Sequence, residues 1–203
     1  MQPLTITKIK SEDIDEFIEV LMNVFENKFK VVFKSKMEIG KNLLIQEMKN
    51  RELEDIYLAK EDELIVGAIT LKIRKPRKQF SQTLKIFIKY LGFYHGLRSF
   101  FVGGYHHSIY KNSIHKNACY IDNAFVLPDY RRKGIAMNLM KQAEEFAKKQ
   151  NKIFLYSFVE TTNSKTIKLC LKSGFKKMSV KKSILSKLFF NDPSWIYLKK
   201  ELN

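Results

Sequence analysis

Cysteine is nearly absent: Cys119 and Cys170 are the only two in 203 residues. Two are too few for a disulfide framework and lack the clustered spacing of a structural zinc site, so a reducing compartment is expected. Long apolar runs are missing as well. No uninterrupted stretch approaches the ~18 residues of a bilayer span, and Met1-Gln2-Pro3-Leu4-Thr5-Ile6 has no basic flank leading into an apolar core. The expectation is a cytoplasmic protein with no integral membrane segment. Internal repeats, low-complexity tracts and linkers are also lacking, so residues 1–203 read as a single domain. Negative charge is scarce, with 21 Asp+Glu against 37 Lys+Arg and a net charge of +16. Such a surplus points to nucleic acid, an anionic membrane face or a phosphorylated ligand. Only six of the cations are Arg, however, and a surplus made of Lys is equally the mark of a solvated surface.

Apolar residues make up 45% of the chain and are spread along it, which excludes disorder as the dominant state. A chain of this length buries roughly 70% of its unfolded surface and needs no metal or disulfide to hold together. Leu4 to Ile9 alternates as a strand does. Ser11 then offers a helix N-cap, with Glu12 and Asp13 in the first turn, and Ile14, Phe17, Ile18, Leu21 and Phe25 follow at helical spacing. A second helix is expected over Met37 to Lys49. Residues 56–59 and 64–73, joined by an acidic turn, predict a hairpin, with Gly67 marking a bulge or a close backbone approach. The connection from Lys75 to Asn117 predicts one helix that is apolar over much of its circumference, through Leu84, Phe87, Leu91 and Tyr94 on one stripe. Strands at 119–126, 153–159 and 195–202 and helices at 134–149 and 162–172 complete the pattern. Strand, helix, strand, helix in succession predicts a parallel pairing with a right-handed crossover, hence an α/β layer around a central sheet.

The chemistry concentrates in Val126-Leu127-Pro128-Asp129-Tyr130-Arg131-Arg132-Lys133-Gly134-Ile135-Ala136. Pro128 ends the strand, because it cannot donate to a sheet ladder. The next helix starts among three cations, one Gly and one Ala. Small residues let backbone amides approach a ligand, and at a helix N-terminus those amides lack partners and carry partial positive charge. The segment is therefore an anion site suited to a phosphate or pyrophosphate. A Walker loop would need Gly-Lys-Ser/Thr and a dinucleotide fingerprint three glycines; neither is present. The other reading is a solvated basic turn.

The order Arg-x-x-Gly-x-Ala after an extended Phe125-Val126-Leu127-Pro128 resembles the Gcn5-related N-acetyltransferase (GNAT) superfamily. Asn163 followed by Leu169-Cys170-Leu171-Lys172-Ser173-Gly174-Phe175 is similar to that family's Asn and Leu-Tyr-x-x-x-Gly-Phe segment. The resemblance covers the chain in element order and is close over Tyr120 to Phe175. It implies an α/β fold with a central mixed β-sheet flanked by helices, a helical insertion between the third and fourth strands, and a single N-acetyltransferase domain over 1–203. It implies acetyl-CoA as co-substrate and no metal. Arg131, Gly134 and Ala136 match the pyrophosphate motif, which extends to Arg132, Lys133 and Ile135. Phe125 and Val126 would offer main-chain groups to the pantetheine arm, and Asn163 would cap a helix and bond the cofactor.

Acetyl transfer to an amine needs a base, donors for the developing oxyanion and an acid for the departing thiolate. Alternation along the strand groups Tyr120, Asp122, Ala124 and Val126 on one face. Some family members carry a carboxylate here as proposed base, which makes Asp122 the candidate; pairing with a Lys is the alternative. Cys170 stands where the family has Tyr. It keeps a titratable proton, but it shares a helical face with Ile167, Leu171 and Gly174, which favours a core cysteine. The acid is then water or another phenol such as Tyr120, or the thiolate leaves unassisted. His95, His106, His107 and His115 lack a nearby carboxylate or Cys and predict no metal site. The segment 79–107 is part of the acceptor pocket, a homodimer surface, a membrane-surface helix or an extra helix packed on the sheet. The expected partner is a small-molecule or peptide amine rather than a nucleic acid. The competing reading is a non-catalytic acyl-CoA-binding protein.

Overall fold

Asp62 and Glu63 have φ of +51° and +67°, the pair of left-handed residues that a two-residue type I′ hairpin turn requires. That turn pairs Glu61 with Leu64 and Lys60 with Ile65. The computed structural model describes residues 4–50, 53, 55–73, 80–111, 116–182 and 194–202. In chain order these form β1 (Thr5–Lys8), α1 (Ile14–Val24), α2 (Glu26–Phe33), α3 (Met37–Lys49), β2 (Ile56–Glu61), β3 (Leu64–Ile73), α4 (Phe80–Leu91), α5 (Phe93–Lys111), β4 (Ala118–Val126), α6 (Ile135–Lys149), β5 (Phe154–Glu160), α7 (Ser164–Lys172), β6 (Lys176–Lys182) and β7 (Ser194–Glu201). The chain divides into two compact units, Met1–Ile9 with Leu53–Arg74 and Ile114–Asn203, and Lys10–Glu52 with Lys75–Ser113.

The first unit holds a seven-stranded mixed sheet in the order β1-β2-β3-β4-β5-β7-β6. Only β4 and β5 pair in parallel, joined through α6 as the strand-helix-strand pattern predicts. One face is covered by α6, whose Ile135, Leu139, Met140, Ala143, Phe146 and Ala147 recur at helical spacing and are all buried. They join Ile69, Leu71, Cys119, Ile121, Leu155, Val159, Ile167, Cys170 and Leu198 in one apolar cluster. Each large side chain buried there contributes about 1.5–3 kcal/mol. The opposite face carries rings instead: Tyr120 meets Phe158 edge-on at 5.5 Å, Phe158 meets Tyr197 at 4.6 Å, and Tyr156 stacks on Tyr197 at 5.0 Å. Gly67 bears out both of its expected roles. The β2–β3 register shifts beside it, and a Cβ there would lie 3.0 Å from the Phe125 carbonyl oxygen.

The second unit is helical. Phe33 stacks on Phe29 and Phe87, and Phe87 meets Phe100 edge-on, so α2, α4 and α5 share an aromatic core. Arg98 donates to the carbonyls of Val31 and Val32, and Ser99 to Val32, which satisfies carbonyls near the end of α2. Four expectations need correction. Ser11 does not cap α1: residues 11–13 form a 3₁₀ turn, and the Asp13 carboxylate accepts from the Lys10 amide at 2.8 Å. The α2 helix and β6 strand were not expected. Between β3 and β4 stand two helices rather than one, because Gly92 at φ +81° breaks the path after Leu91.

Candidate active site

The strand β4 carries one residue more than its partner. Pairing runs Leu71 with Ile121 and Thr70 with Asn123, which leaves Asp122 as a β-bulge. The bulge reverses the alternation expected from the sequence. Ala124 and Val126 stand opposite Ile69 and Gly67 and share the α6 face with Ile121, whereas Asn123 and Phe125 stand opposite Thr70 and Ala68 on the ring-bearing face with Tyr120. The predicted grouping of Tyr120, Asp122, Ala124 and Val126 therefore fails beyond Asp122. The signal in the sequence was the polar pair Asp122-Asn123 interrupting an apolar strand.

Beside the bulge the sheet opens. The β4–β5 ladder spans Ala118–Ile121 against Phe154–Ser157 and stops there, while β5 continues to Glu160 paired only with β7. The Leu127 amide donates to Val66 in β3 at 2.8 Å, so alternation turns the amides of Val126 and Ala124 to the side that β5 has left. Phe125 faces β3, with its carbonyl against Gly67. Of the two residues expected to offer main-chain groups, Val126 presents its amide to the opening and Phe125 does not. The Val126 carbonyl accepts from Arg131 Nε at 3.1 Å.

A 3₁₀ turn over Pro128–Tyr130 leads into the loop. Arg132 (φ +65°) and Gly134 (φ +80°) are both left-handed, and Gly134 is the N-cap of α6. Among the described residues the backbone amides of 132–136 find no acceptor, consistent with the unpartnered first turn of a helix. A Cβ built on Gly134 meets nothing within 4 Å, so the space before these amides is open. Left-handed turns that expose successive N–H groups make anion-binding concavities. This cradle fits a pyrophosphate. The three cations differ in their engagement. Arg131 braces β4, Lys133 lies 3.6 Å from Glu61 and over the Tyr130 ring at 4.9 Å, and Arg132 makes no hydrogen bond or ion pair among the described residues.

Across the opening, Asn163 is the N-cap of α7, and its Oδ1 accepts from the Thr166 amide at 3.1 Å. Asp122 is partly buried and ion-paired with Lys72 at 2.7 Å, and Asn123 Nδ2 donates to the same carboxylate at 3.2 Å. Sequence reading weighed a lysine partner without identifying Lys72, which reaches it from the adjacent strand. Cys170 lies in the core cluster, where burial pushes its thiol up to about 11 and the Ser157 hydroxyl partly offsets that. Cys119 is likewise buried, its thiol pushed up to about 12. The Tyr156–Tyr197 pair was not singled out beforehand; burial and the neighbouring Tyr156 phenol raise Tyr197 above the usual range. Among the described residues no three of His, Cys, Asp or Glu gather as a metal site, and no helix is long and apolar enough to cross a membrane. His106 and His107 lie in the helical backbone of α5; His115 lies outside the described residues.

The comparisons bear on the fold and the family. The ribosomal-protein-alanine N-acetyltransferase of Brucella melitensis is 14% identical, with a TM-score of 0.64 over 98% of this chain and 100% of its own. YncA of Salmonella typhimurium, solved with its cofactor acetyl-CoA, is 11% identical with a TM-score of 0.60 over 100% and 95%. An acetyltransferase structure from Bacillus anthracis in complex with acetyl coenzyme A is 20% identical with a TM-score of 0.50; the match covers 73% of this chain and only 63% of that one. At such identities the likeness is one of fold. No curated protein matches the sequence. The sequence model that does match is that of the acetyltransferase (GNAT) family, over residues 18–175. That span exceeds half the chain and includes β4, the loop and α7, and by it the protein belongs to the acetyltransferase (GNAT) family.

Proposed function

We propose that the protein is an acetyl-CoA-dependent N-acetyltransferase that passes the acetyl group directly to an amine of a small-molecule or peptide acceptor. The observation that carries this reading is the placement of the open amide cradle at 132–136 next to the mouth where β4 and β5 part. Bound acetyl-CoA supplies an acetyl thioester. The amides of Arg132, Lys133, Gly134, Ile135 and Ala136 bind its pyrophosphate, with Arg132 the cation nearest to free use. The Val126 amide orients the pantetheine arm, and Asn163 stiffens the facing helix start. Asp122, at the bulge, is the group that accepts a proton from the acceptor amine. In this reading residues 1–203 form one N-acetyltransferase domain, and two free cysteines support a cytoplasmic setting.

A second reading is favoured by a specific observation. The expected base Asp122 is held by Lys72, and the position where the family has a Tyr acid is filled by the buried Cys170. A non-catalytic acyl-CoA-binding protein would look the same. Incubation with acetyl-CoA and a panel of amines, following free thiol, separates the two: thiol release dependent on an amine is expected, and binding without release on every amine favours the second reading. Gly134→Glu is expected to abolish acetyl-CoA binding, since it sets bulk and negative charge before the cradle; retained affinity in calorimetry sinks the loop assignment.

A further inference from the structure

The junction of α4 and α5 exposes rings that no other described residue covers. Phe93 and Tyr94 are each 72% exposed, Phe101 59% and Tyr90 42%. Three of the four flank Gly92, where the chain turns at φ +81° and a Cβ would meet nothing within 4 Å. Phe101 lies two helical turns beyond Tyr94 on the same face of α5. The segment that carries the rings has no carboxylate of its own. Residues 64–121 are 58 positions without a single Asp or Glu, and they hold ten Lys and Arg. Lys85 and Lys89 are exposed on α4, with Lys89 Nζ 5.7 Å from the Tyr90 ring. Lys36 reaches the apex from outside the segment, donating to the Leu91 carbonyl at 2.9 Å. Glu38, two residues on, borders a depression with Glu19 and Lys41.

We propose that this apex is a docking surface for an anionic lipid bilayer, which seats Phe93 and Tyr94 at the headgroup level while Lys36, Lys85 and Lys89 face the lipid phosphates. Aromatic rings at the tip of a turn, ringed by cations, match the amphipathic chemistry of a membrane interface. Charge complementarity selects this occupant. A second copy of the chain would bring Lys85 and Lys89 of this carboxylate-free segment against themselves, and an isologous contact needs a self-complementary surface. A nucleic acid is read chiefly by Arg forks, whereas at this apex the exposed cations Lys85 and Lys89 are lysines and Arg98 turns its Nη1 inward to the Val31 and Val32 carbonyls. The inference stands apart from acetyl transfer and does not rest on it.

Flotation of the full chain with vesicles tests it. Binding is expected to phosphatidylcholine vesicles containing phosphatidylglycerol, not to phosphatidylcholine alone, and to fade as salt screens the charges. Lys85→Gln with Lys89→Gln is expected to weaken binding about 25-fold, about fivefold for each charge removed near the surface. Phe93→Ser with Tyr94→Ser is expected to abolish it while circular dichroism melting stays unchanged, as suits side chains this exposed. Phe93→Trp adds a direct reading, a blue shift of its emission on anionic vesicles only, because the native Trp195 is buried. Absence of flotation, equal flotation on neutral lipid, or flotation indifferent to these variants overturns the proposal. So does RNA binding lost with the same two rings, which assigns the surface to nucleic acid, or a dimer dissolved by their removal, which assigns it to self-association.

Discussion

In the proposed reaction Asp122 is the base, and its surroundings explain both its attraction and its difficulty in that role. The bulge lifts it out of the β3–β4 ladder, while Lys72 and Asn123 hold its carboxylate in one orientation. A carboxylate held in this way is well placed, and positioned proton transfer is typically worth 10²–10⁴ in rate. Asp122→Asn keeps the shape and removes the acceptor. The expected outcome is turnover lowered at least ~100-fold with acetyl-CoA affinity unchanged; unaltered kcat means that Asp122 is not the base. The two thiols give a second prediction. Burial raises Cys170 to about 11 and Cys119 to about 12 from a reference of 9.0. The folded state therefore keeps protons that the unfolded chain releases above pH 9, so their contribution to stability is intact below that pH and is lost as pH rises toward 11–12. Denaturant midpoints are expected to fall across this window, and Cys170→Ala to flatten the fall while lowering the overall stability. A midpoint insensitive to alkali between pH 9 and 11 contradicts the burial.

At the scale of elements, helix starts do the organising. Both helices that flank the strand opening begin on a residue with a local reason to be there: Gly134 because φ is +80°, Asn163 because its side chain satisfies an orphan amide. Asn163→Ala is expected to cost about 1 kcal/mol in denaturant unfolding. If Asn163 also bonds the cofactor, the KM for acetyl-CoA rises with it; a stability loss without a KM change assigns the residue to capping alone. These starts were legible in the sequence because small or capping residues preceded strongly periodic helices. The bulge was not read, since its one trace in the sequence is the polar pair Asp122-Asn123 and it is the register against β3 that fixes it. The α2 helix was missed because it is short and follows α1 with only Phe25 between them, so no turn signal separates the two. The insertion read as one helix because the apolar stripe is continuous across Gly92, and a lone Gly in a helical pattern is tolerated more often than it breaks one. The sequence of β6, KKMSVKK, has no buried face to alternate against, and its strand state comes from the backbone of β7.

The +16 of the whole molecule is not one property but several local ones. Three cations lie in the loop beside the strand opening, ten lie in the acid-free stretch, and four lysines stand on β6. That last group has a structural reason. Among the described residues the sheet ends at β6, whose outer backbone groups are a row that another chain could pair with, and Met178 and Val180 on it are 55% and 56% exposed. Charges on an edge strand oppose such pairing. Lys176, Lys177, Lys181 and Lys182 therefore act as a guard, and their loss should matter for association rather than for catalysis. Replacing all four with Thr lowers the net charge from +16 to +12 while leaving β-propensity at least as high. The expected outcome is light scattering that grows with protein concentration, with a melting midpoint at high dilution close to that of the native chain. Acetyl-CoA affinity should stay within about twofold, because screening limits these charges to roughly 10 Å at ordinary ionic strength. A variant that stays monomeric at every concentration removes the edge-guard explanation and returns these lysines to an ordinary solvated surface.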